Sequence, residues 1–217
     1  MNRQDRTPIY DALHQYIDNR IVSFDVPGHK QGKGHKALVD AFGQKCISMD
    51  LNSSKPLDNL THPTGVIREA EVLAAEAFRA SQAFLITNGT TAAVQNMIFS
   101  CCRQNDKIIM PRNVHKSVIN AMVICGAAPV YVNPGIEPAL GISLGMSVSH
   151  VKMAVSEHPD AKAIFVNNPT YYGVCSDLRE IVKIAHEAGM LALIDEAHGT
   201  HLYFGEDLPL SAMDAGA

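Results

Sequence analysis

The strongest constraint on the fold is a regular alternation of short apolar segments with helix-like segments from residue 64 onward. The apolar segments are four to six residues long and lack polar alternation, which is typical of strands covered on both faces. Strands that alternate with helices predict βαβ units and a mostly parallel sheet. The predicted strands are 83–87, 107–110, 129–132, 162–167 and 190–195, and the predicted helices are 66–80, 91–102, 115–125, 147–157 and 177–188.

The first part of the chain has a different character. Residues 7–19 are amphipathic, with Pro8 suited to a first helical turn. Residues 25–65 are rich in Gly, Pro, Asn and Ser, which predicts ordered loops around a short helix at 36–43. Loops of this length are uncommon unless they build a site or an interface. We therefore expect a helix and loop segment over 1–63, followed by an α/β domain over 64–217.

Composition and charge exclude several classes of protein. Hydrophobic residues make up 47% of the chain and charged residues 18%, which is enough to bury a core. The net charge of −4, with no Lys/Arg block, argues against a nucleic-acid partner. The five cysteines form no C-x-x-C pair and predict reduced thiols in a cytoplasmic protein. No apolar run reaches membrane-spanning length, so no membrane partner is expected.

The candidate site follows from the predicted sheet. In open α/β sheets, ligands bind at the carboxyl ends of the strands. Polar, often glycine-containing segments stand directly after four of the predicted strands, at 88–91, 111–115, 168–173 and 195–198. We expect the chemistry of the protein to converge there.

The letters DEAH at 195–198 suggest a helicase signature, and the two histidines in this region suggest a metal site. A DEAH helicase needs a phosphate loop of the form G-x-x-x-x-G-K-[ST], but the nearest stretch, 28–34, has the wrong spacing and lacks the Ser/Thr. His198 and His201 stand three residues apart, as in some zinc sites, but zinc needs three or four converging ligands. Neither a helicase nor a metal centre is therefore predicted.

Pyridoxal phosphate fits the strand-end residues better. This cofactor needs a carboxylate against its pyridine nitrogen, and Asp195 ends a strand. Its phosphate needs backbone N–H groups at a helix start, which Gly89, Thr90 and Thr91 could supply with two added hydroxyls. Its ring needs a flat neighbour, for which His115 is the candidate. Each residue alone has an ordinary explanation as a cap or a strand end, but their shared position at strand ends favours the cofactor.

Six segments carry a resemblance to a known family. They are VPGHKQG (26–32), LDNLTHPTGVIREAE (57–71), FLITNGTTAA (84–93), PRNVHKSV (111–118), NNPTYYGV (167–174) and IDEAHGTHLYF (194–204). In this order they resemble the bacterial ornithine/lysine/arginine decarboxylases, which have the fold type I of pyridoxal phosphate enzymes. RNVHKS followed by PTYYG and DEAHG is the specific part, whereas NGTT alone is weak.

The resemblance implies a role for each matching residue. Asp195 would pair with the pyridine nitrogen, His115 would stack on the ring, and His198 would lie near the phenolic oxygen. Gly89, Thr90 and Thr91 would hold the phosphate, and Thr170 and Tyr171 would line the pocket. The PGHK segment would help to form a dimer and its active site.

The resemblance also implies an incomplete active site. The family's imine lysine lies in an S-x-H-K segment beyond the DEAHG strand, whereas the last lysine here is Lys183. Lys116 is expected to be a surface charge at a helix start. We therefore expect the N-terminal portion of a decarboxylase of arginine, lysine or ornithine, a truncated large domain that lacks the imine lysine and is inactive alone.

The complete enzyme would be a homodimer or higher homo-oligomer, and the choice among the three substrates stays open. Two alternatives also stay open. One is another fold type I activity, an aminotransferase or aldolase, and the other is a non-catalytic fragment or partner.

Overall fold

The computed structural model describes residues 2–217, which form two compact units, one that ends at Leu85 and one over Ile86–Ala217. The units divide after Leu85, so the predicted helix that follows residue 63 falls in the first unit. That helix packs against the predicted N-terminal helix. The domain boundary at 63/64 stays a prediction.

In its described residues, the first unit contains a short 3-10 helix (Arg3–Asp5), four α-helices and long connections. The α-helices are α1 (Pro8–Asp18), α2 (Lys36–Phe42), α3 (Gln44–Ser48) and α4 (Val66–Ala77). α1 begins with Pro8 in its first turn, as the sequence indicates. α3 was not predicted. It follows α2 after Gly43, whose φ of 83° ends α2 in a conformation that glycine adopts at little cost.

Asp58 holds the start of α4 from outside the helix. Its Oδ2 accepts the backbone N–H of Gly65 at 2.7 Å and of Ile67 at 3.0 Å, and its Oδ1 accepts the N–H of Thr64 at 3.1 Å. Desolvation opposes ionisation of the carboxyl group, but the backbone donors prevail and lower the pKa of Asp58 to about 2. The carboxylate therefore acts as the anion at this helix start.

The second unit alternates helices and strands. In chain order they are α5 (Gly89–Cys101), β1 (Lys107–Pro111), α6 (Lys116–Cys125), β2 (Ala128–Val132), β3 (Ile136–Glu137), β4 (Ile142–Ser143), α7 (Val148–Glu157), β5 (Ala163–Asn167), α8 (Leu178–Glu187), β6 (Leu191–Asp195) and α9 (Ala212–Ala215). Four of the five predicted strands, and the four helices predicted at 91–102, 115–125, 147–157 and 177–188, lie within a few residues of the expected bounds.

The sheet is parallel and has the order β2-β1-β5-β6. Successive strand residues face opposite sides, so Ile108 and Met110 pack with α5 and α6, while Ile109 packs with α7 and α8. All three side chains are fully buried. This two-sided burial explains why the strand sequences are apolar throughout.

β2 forms one outer edge of the sheet. The N–H of Ala128 donates to the carbonyl of Asp106 at 2.8 Å, on the side of β1. The N–H and C=O groups of successive strand residues point to opposite sides. The backbone groups of Pro129 and Tyr131 therefore point toward the open edge. Pro129 has no N–H, so this edge presents few donors to another strand.

The predicted strand at 83–87 is wrong. Residues 82–86 form no strand ladder with any part of the described chain, and Phe84 is 69% exposed. An apolar, extended segment becomes a strand only when a neighbour completes its hydrogen bonds. The antiparallel hairpin of β3 and β4 was missed because its strands have two residues each in a Gly- and Pro-containing stretch.

Within residues 2–217, none of the helices has the length and apolar character needed to cross a membrane.

Candidate active site

A cavity of about 340 Å³ lies at the carboxyl ends of the parallel strands. All of its lining residues belong to the second unit. The structure brings all six predicted site residues to this cavity: Gly89, Thr90, Thr91, His115, Asp195 and His198. Asn113, Val114, Ser117, Asn167, Tyr171 and Ala197 complete the lining.

The start of α5 faces the cavity without an internal cap. Asn88 precedes the helix but makes no side-chain capping bond. The backbone N–H groups of residues 89–91 find no acceptor in the described chain. Gly89 has a φ of 69°, and a side chain there would meet nothing within 4 Å. An uncapped helix start of this kind attracts an anionic group.

His115 caps α6 with its ring. Its Nδ1 accepts the backbone N–H of Ser117 at 3.2 Å and lies 2.9 Å from the Ser117 hydroxyl. A backbone N–H can only donate, so the ring proton of neutral His115 is on Nε2. Ser117 is buried and fixes the ring orientation. Ser117 was not among the predicted site residues, although its place two residues after His115 at a helix start is a recognisable capping pattern.

Asp195 is a buried carboxylate with no cationic partner in the part of the chain that the structure describes. It ends β6, is 5% exposed, and accepts the N–H of Ala197 on Oδ1 at 3.0 Å. Within the described residues, no Lys, Arg or His forms an ion pair with it. A buried charge is normally paired. A protonated ring nitrogen in the cavity would supply the missing cation, so Asp195 fits pyridoxal phosphate.

Tyr171 and His198 stand edge to face, with ring centroids 5.6 Å apart and an interplanar angle of 89°. Both line the cavity. Thr170 does not, contrary to expectation, because it is buried and its Oγ1 accepts the N–H of Val174 at 3.2 Å within its own turn. Thr170 lines a neighbouring cavity of about 250 Å³ instead.

None of the residues lining the 340 Å³ cavity is a lysine. Lys116 is exposed at the first position of α6 and lies outside the lining. Among residues 2–217, no group of three or more His, Cys, Asp or Glu side chains is arranged to hold a metal ion.

The sequence matches the family described as Orn/Lys/Arg decarboxylase, major domain, over residues 7–217. It is 46% identical over 218 residues to the arginine decarboxylase of Halalkalibacterium halodurans, covering 100% of this chain and 44% of that protein. It is also 46% identical over 215 residues to the arginine decarboxylase of Bacillus subtilis, covering 99% of this chain and 44% of that protein.

Among solved structures, lysine decarboxylase A from Pseudomonas aeruginosa is similar, with a TM-score of 0.78 and 26% sequence identity, over 91% of this chain and 29% of that one. The chain therefore belongs to the Orn/Lys/Arg decarboxylase family and has the fold of its major domain. It spans less than half of the length of the curated relatives that it matches.

Proposed function

We propose that this chain is the N-terminal portion of a pyridoxal phosphate-dependent decarboxylase of a basic amino acid. The observation that carries the proposal is the buried carboxylate of Asp195, which has no cationic partner among residues 2–217 and lines a cavity that also contains an uncapped helix start. Arginine is the first substrate to test, because two relatives at 46% identity are named arginine decarboxylases. Family membership favours decarboxylation over an aminotransferase or aldolase activity.

Each site residue has a task in this proposal. The N–H groups of Gly89, Thr90 and Thr91 hold the phosphate, helped by the two threonine hydroxyls. The ring of His115, oriented by Ser117, lies against the cofactor ring. When bound, pyridoxal phosphate supplies the electron sink for the bond to the departing carboxylate.

Two further side chains act on the edge of the cofactor. Asp195 keeps the ring nitrogen protonated, which strengthens the electron sink. His198 is assigned to the phenolic oxygen, and its edge-on contact with Tyr171 supports a fixed ring orientation.

The chain by itself is the second candidate, as a cofactor-binding fragment without turnover. None of the described residues that line the cavity is a lysine, so none of them can form an imine with the cofactor. We propose that the complete protein is a homodimer or higher homo-oligomer in the cytoplasm. The free state of all five cysteines supports a reducing compartment.

Changing Asp195 to Asn in the complete protein tests the decarboxylase proposal. The substitution keeps the shape but removes the charge that protonates the ring, so amine production from arginine, lysine or ornithine should fall by a factor equivalent to several kcal/mol, roughly a thousandfold. Cofactor content should change less. Glu206→Gln, at an exposed acid, is the matched control. A near wild-type rate for Asp195→Asn would contradict the assignment.

Borohydride reduction of the purified chain with pyridoxal phosphate tests the second candidate. We expect scattered, substoichiometric labelling of lysines and no amine production. A stoichiometric adduct on one lysine, such as Lys116, together with turnover would show that the chain is a complete catalyst.

A further inference from the structure

Glu196 is the acidic residue of the DEAH segment that the proposed chemistry leaves unused. It does not line the cavity, although its neighbours Asp195 and Ala197 do. Its Oε1 accepts the backbone N–H of Ala212, at the start of α9, at 2.9 Å. Its Oε2 accepts the hydroxyl of Tyr203 at 2.5 Å. Both oxygens are therefore engaged away from the cavity.

The environment of this pair favours a stable link. Burial raises the pKa of Glu196, and the hydrogen bonds from Tyr203 and Ala212 act in the opposite direction. Burial and the neighbouring carboxylate also raise the pKa of Tyr203, which keeps its hydroxyl protonated as a donor. The distance of 2.5 Å from the Tyr203 hydroxyl to Oε2 of Glu196 lies at the short end of the range for O–H···O hydrogen bonds.

A short path of hydrogen bonds leads from Glu196 back to Asp195. The carbonyl of Glu196 accepts the N–H of Gly199 at 2.8 Å, which closes the turn 196–199. Within that turn, the N–H of Ala197 donates to Oδ1 of Asp195 at 3.0 Å. The orientation of the Asp195 carboxylate thus depends on a turn whose first side chain is tied to α9.

We propose that Glu196 is a positioning residue for Asp195. By binding Ala212 and Tyr203 it fixes the turn 196–199, and the turn presents the Ala197 N–H that aims the Asp195 carboxylate at the ring nitrogen of the cofactor. This inference rests on the proposed function, because it presumes that Asp195 meets that nitrogen. It adds a residue that touches neither cofactor nor substrate.

The experiment compares two ligands that differ at one atom. Pyridoxal phosphate and deazapyridoxal phosphate, in which carbon replaces the ring nitrogen, are each bound to the full chain and measured by equilibrium dialysis. Glu196→Ala should lower the affinity for pyridoxal phosphate about fivefold and leave the affinity for the deaza compound within twofold of wild type. Glu196→Gln can still accept the N–H of Ala212, so it should keep most of the preference for pyridoxal phosphate over the deaza compound. Glu206→Ala, at an exposed acid ten residues further along the chain, is the control.

A purely structural role for Glu196 predicts a different result, because a damaged fold lowers the affinity for both ligands equally. Equal losses, or no loss for either ligand, would overturn the inference. Asp195→Asn separates the two proposals. If it abolishes the preference for the ring nitrogen while Glu196→Ala keeps it, only the positioning role fails. If Asp195→Asn keeps the preference, the proposed role of Asp195 fails and the positioning role fails with it.

Two readouts cover the case in which Glu196→Ala does not fold. Tyr203→Phe removes one of the two bonds to Glu196 while retaining the buried ring, and it should reduce the preference by about twofold. Hydrogen exchange at the Ala197 amide needs no ligand and should quicken in Tyr203→Phe and Glu196→Ala, but not in Glu206→Ala. Unchanged exchange at Ala197 would overturn the positioning role.

Discussion

The helices α4 and α5 begin in opposite ways. The start of α4 receives the carboxylate of Asp58, which accepts backbone N–H groups around the first turn. The start of α5 has no capping side chain, and its first N–H groups have no acceptor in the described chain. Both helices exceed ten residues, so both have dipoles that favour an anion at this end.

The difference shows that a helix start can bind an external anion only if its backbone N–H groups have no acceptor within the protein. An internal carboxylate satisfies the N–H groups of α4 and contributes to stability, but it leaves no place for an external anion. The start of α5 lacks the stability that an internal cap contributes, but its N–H groups remain available to a ligand. The proposed phosphate site can therefore be tested by making each helix start resemble the other.

The largest effect is expected when α5 receives a carboxylate of its own. Thr90→Asp places a negative charge in the first turn, where it should repel the cofactor phosphate and lower the affinity for pyridoxal phosphate about a hundredfold. Thr90→Asn has a similar shape without the charge and should lose only a fewfold. Thermal stability should not fall, because an acid is favourable in a first turn. Equal affinity of the two variants in dialysis would argue against a phosphate at α5.

Removing the carboxylate from α4 should produce a loss of stability instead. Asp58→Ala strands several backbone donors and places alanine at a φ of 67°, so the free energy of unfolding should drop by about 2 kcal/mol. Urea unfolding measures this change. Asp40→Ala serves as the control, since it breaks only an exposed pair with Lys36 and should cost about 0.5 kcal/mol or less. Similar losses for the two variants would contradict the special role of Asp58.

Acid should weaken the α4 start in a defined pH range. The folded-state pKa of Asp58 is about 2, below the value of 3.8 for an unperturbed group, so its contribution is complete above about pH 4 and is lost as pH falls toward 2. In Asp58→Asn, the fall in stability over this range should be shallower than in wild type. Parallel curves of unfolding free energy against pH would indicate that Asp58 does not titrate in this way.

The smallest effect concerns the ring of His115, which is held at the start of another helix. His115→Phe keeps a flat face and should retain much of the cofactor affinity, whereas His115→Ala should lose a further 0.5–1.5 kcal/mol or about two- to tenfold. Dialysis with pyridoxal phosphate distinguishes the two. Equal affinities of wild type and both variants would count against stacking.

Much of the second unit could be predicted because its signals are local. Each apolar run marks a buried strand, and the residues after the strands mark the edge where a cavity forms. The segment 83–87 was misjudged because apolar composition does not reveal whether a neighbouring strand is present. The cap of Asp58 on Ile67 spans nine residues, and the bond of Glu196 to Ala212 spans sixteen, so neither forms a recognisable short pattern.

Pro129 makes the two edges of the sheet unequal in their ability to pair with a further strand. An edge strand without its outward N–H is a poor template, so β2 discourages both accretion of further strands and fibril-like stacking of copies through that side. β6 contains no proline, so every residue of this edge strand has a backbone N–H group. Any lengthening of this sheet, by natural insertion or by engineered fusion of a complementary strand, should therefore succeed beside β6 and fail beside β2.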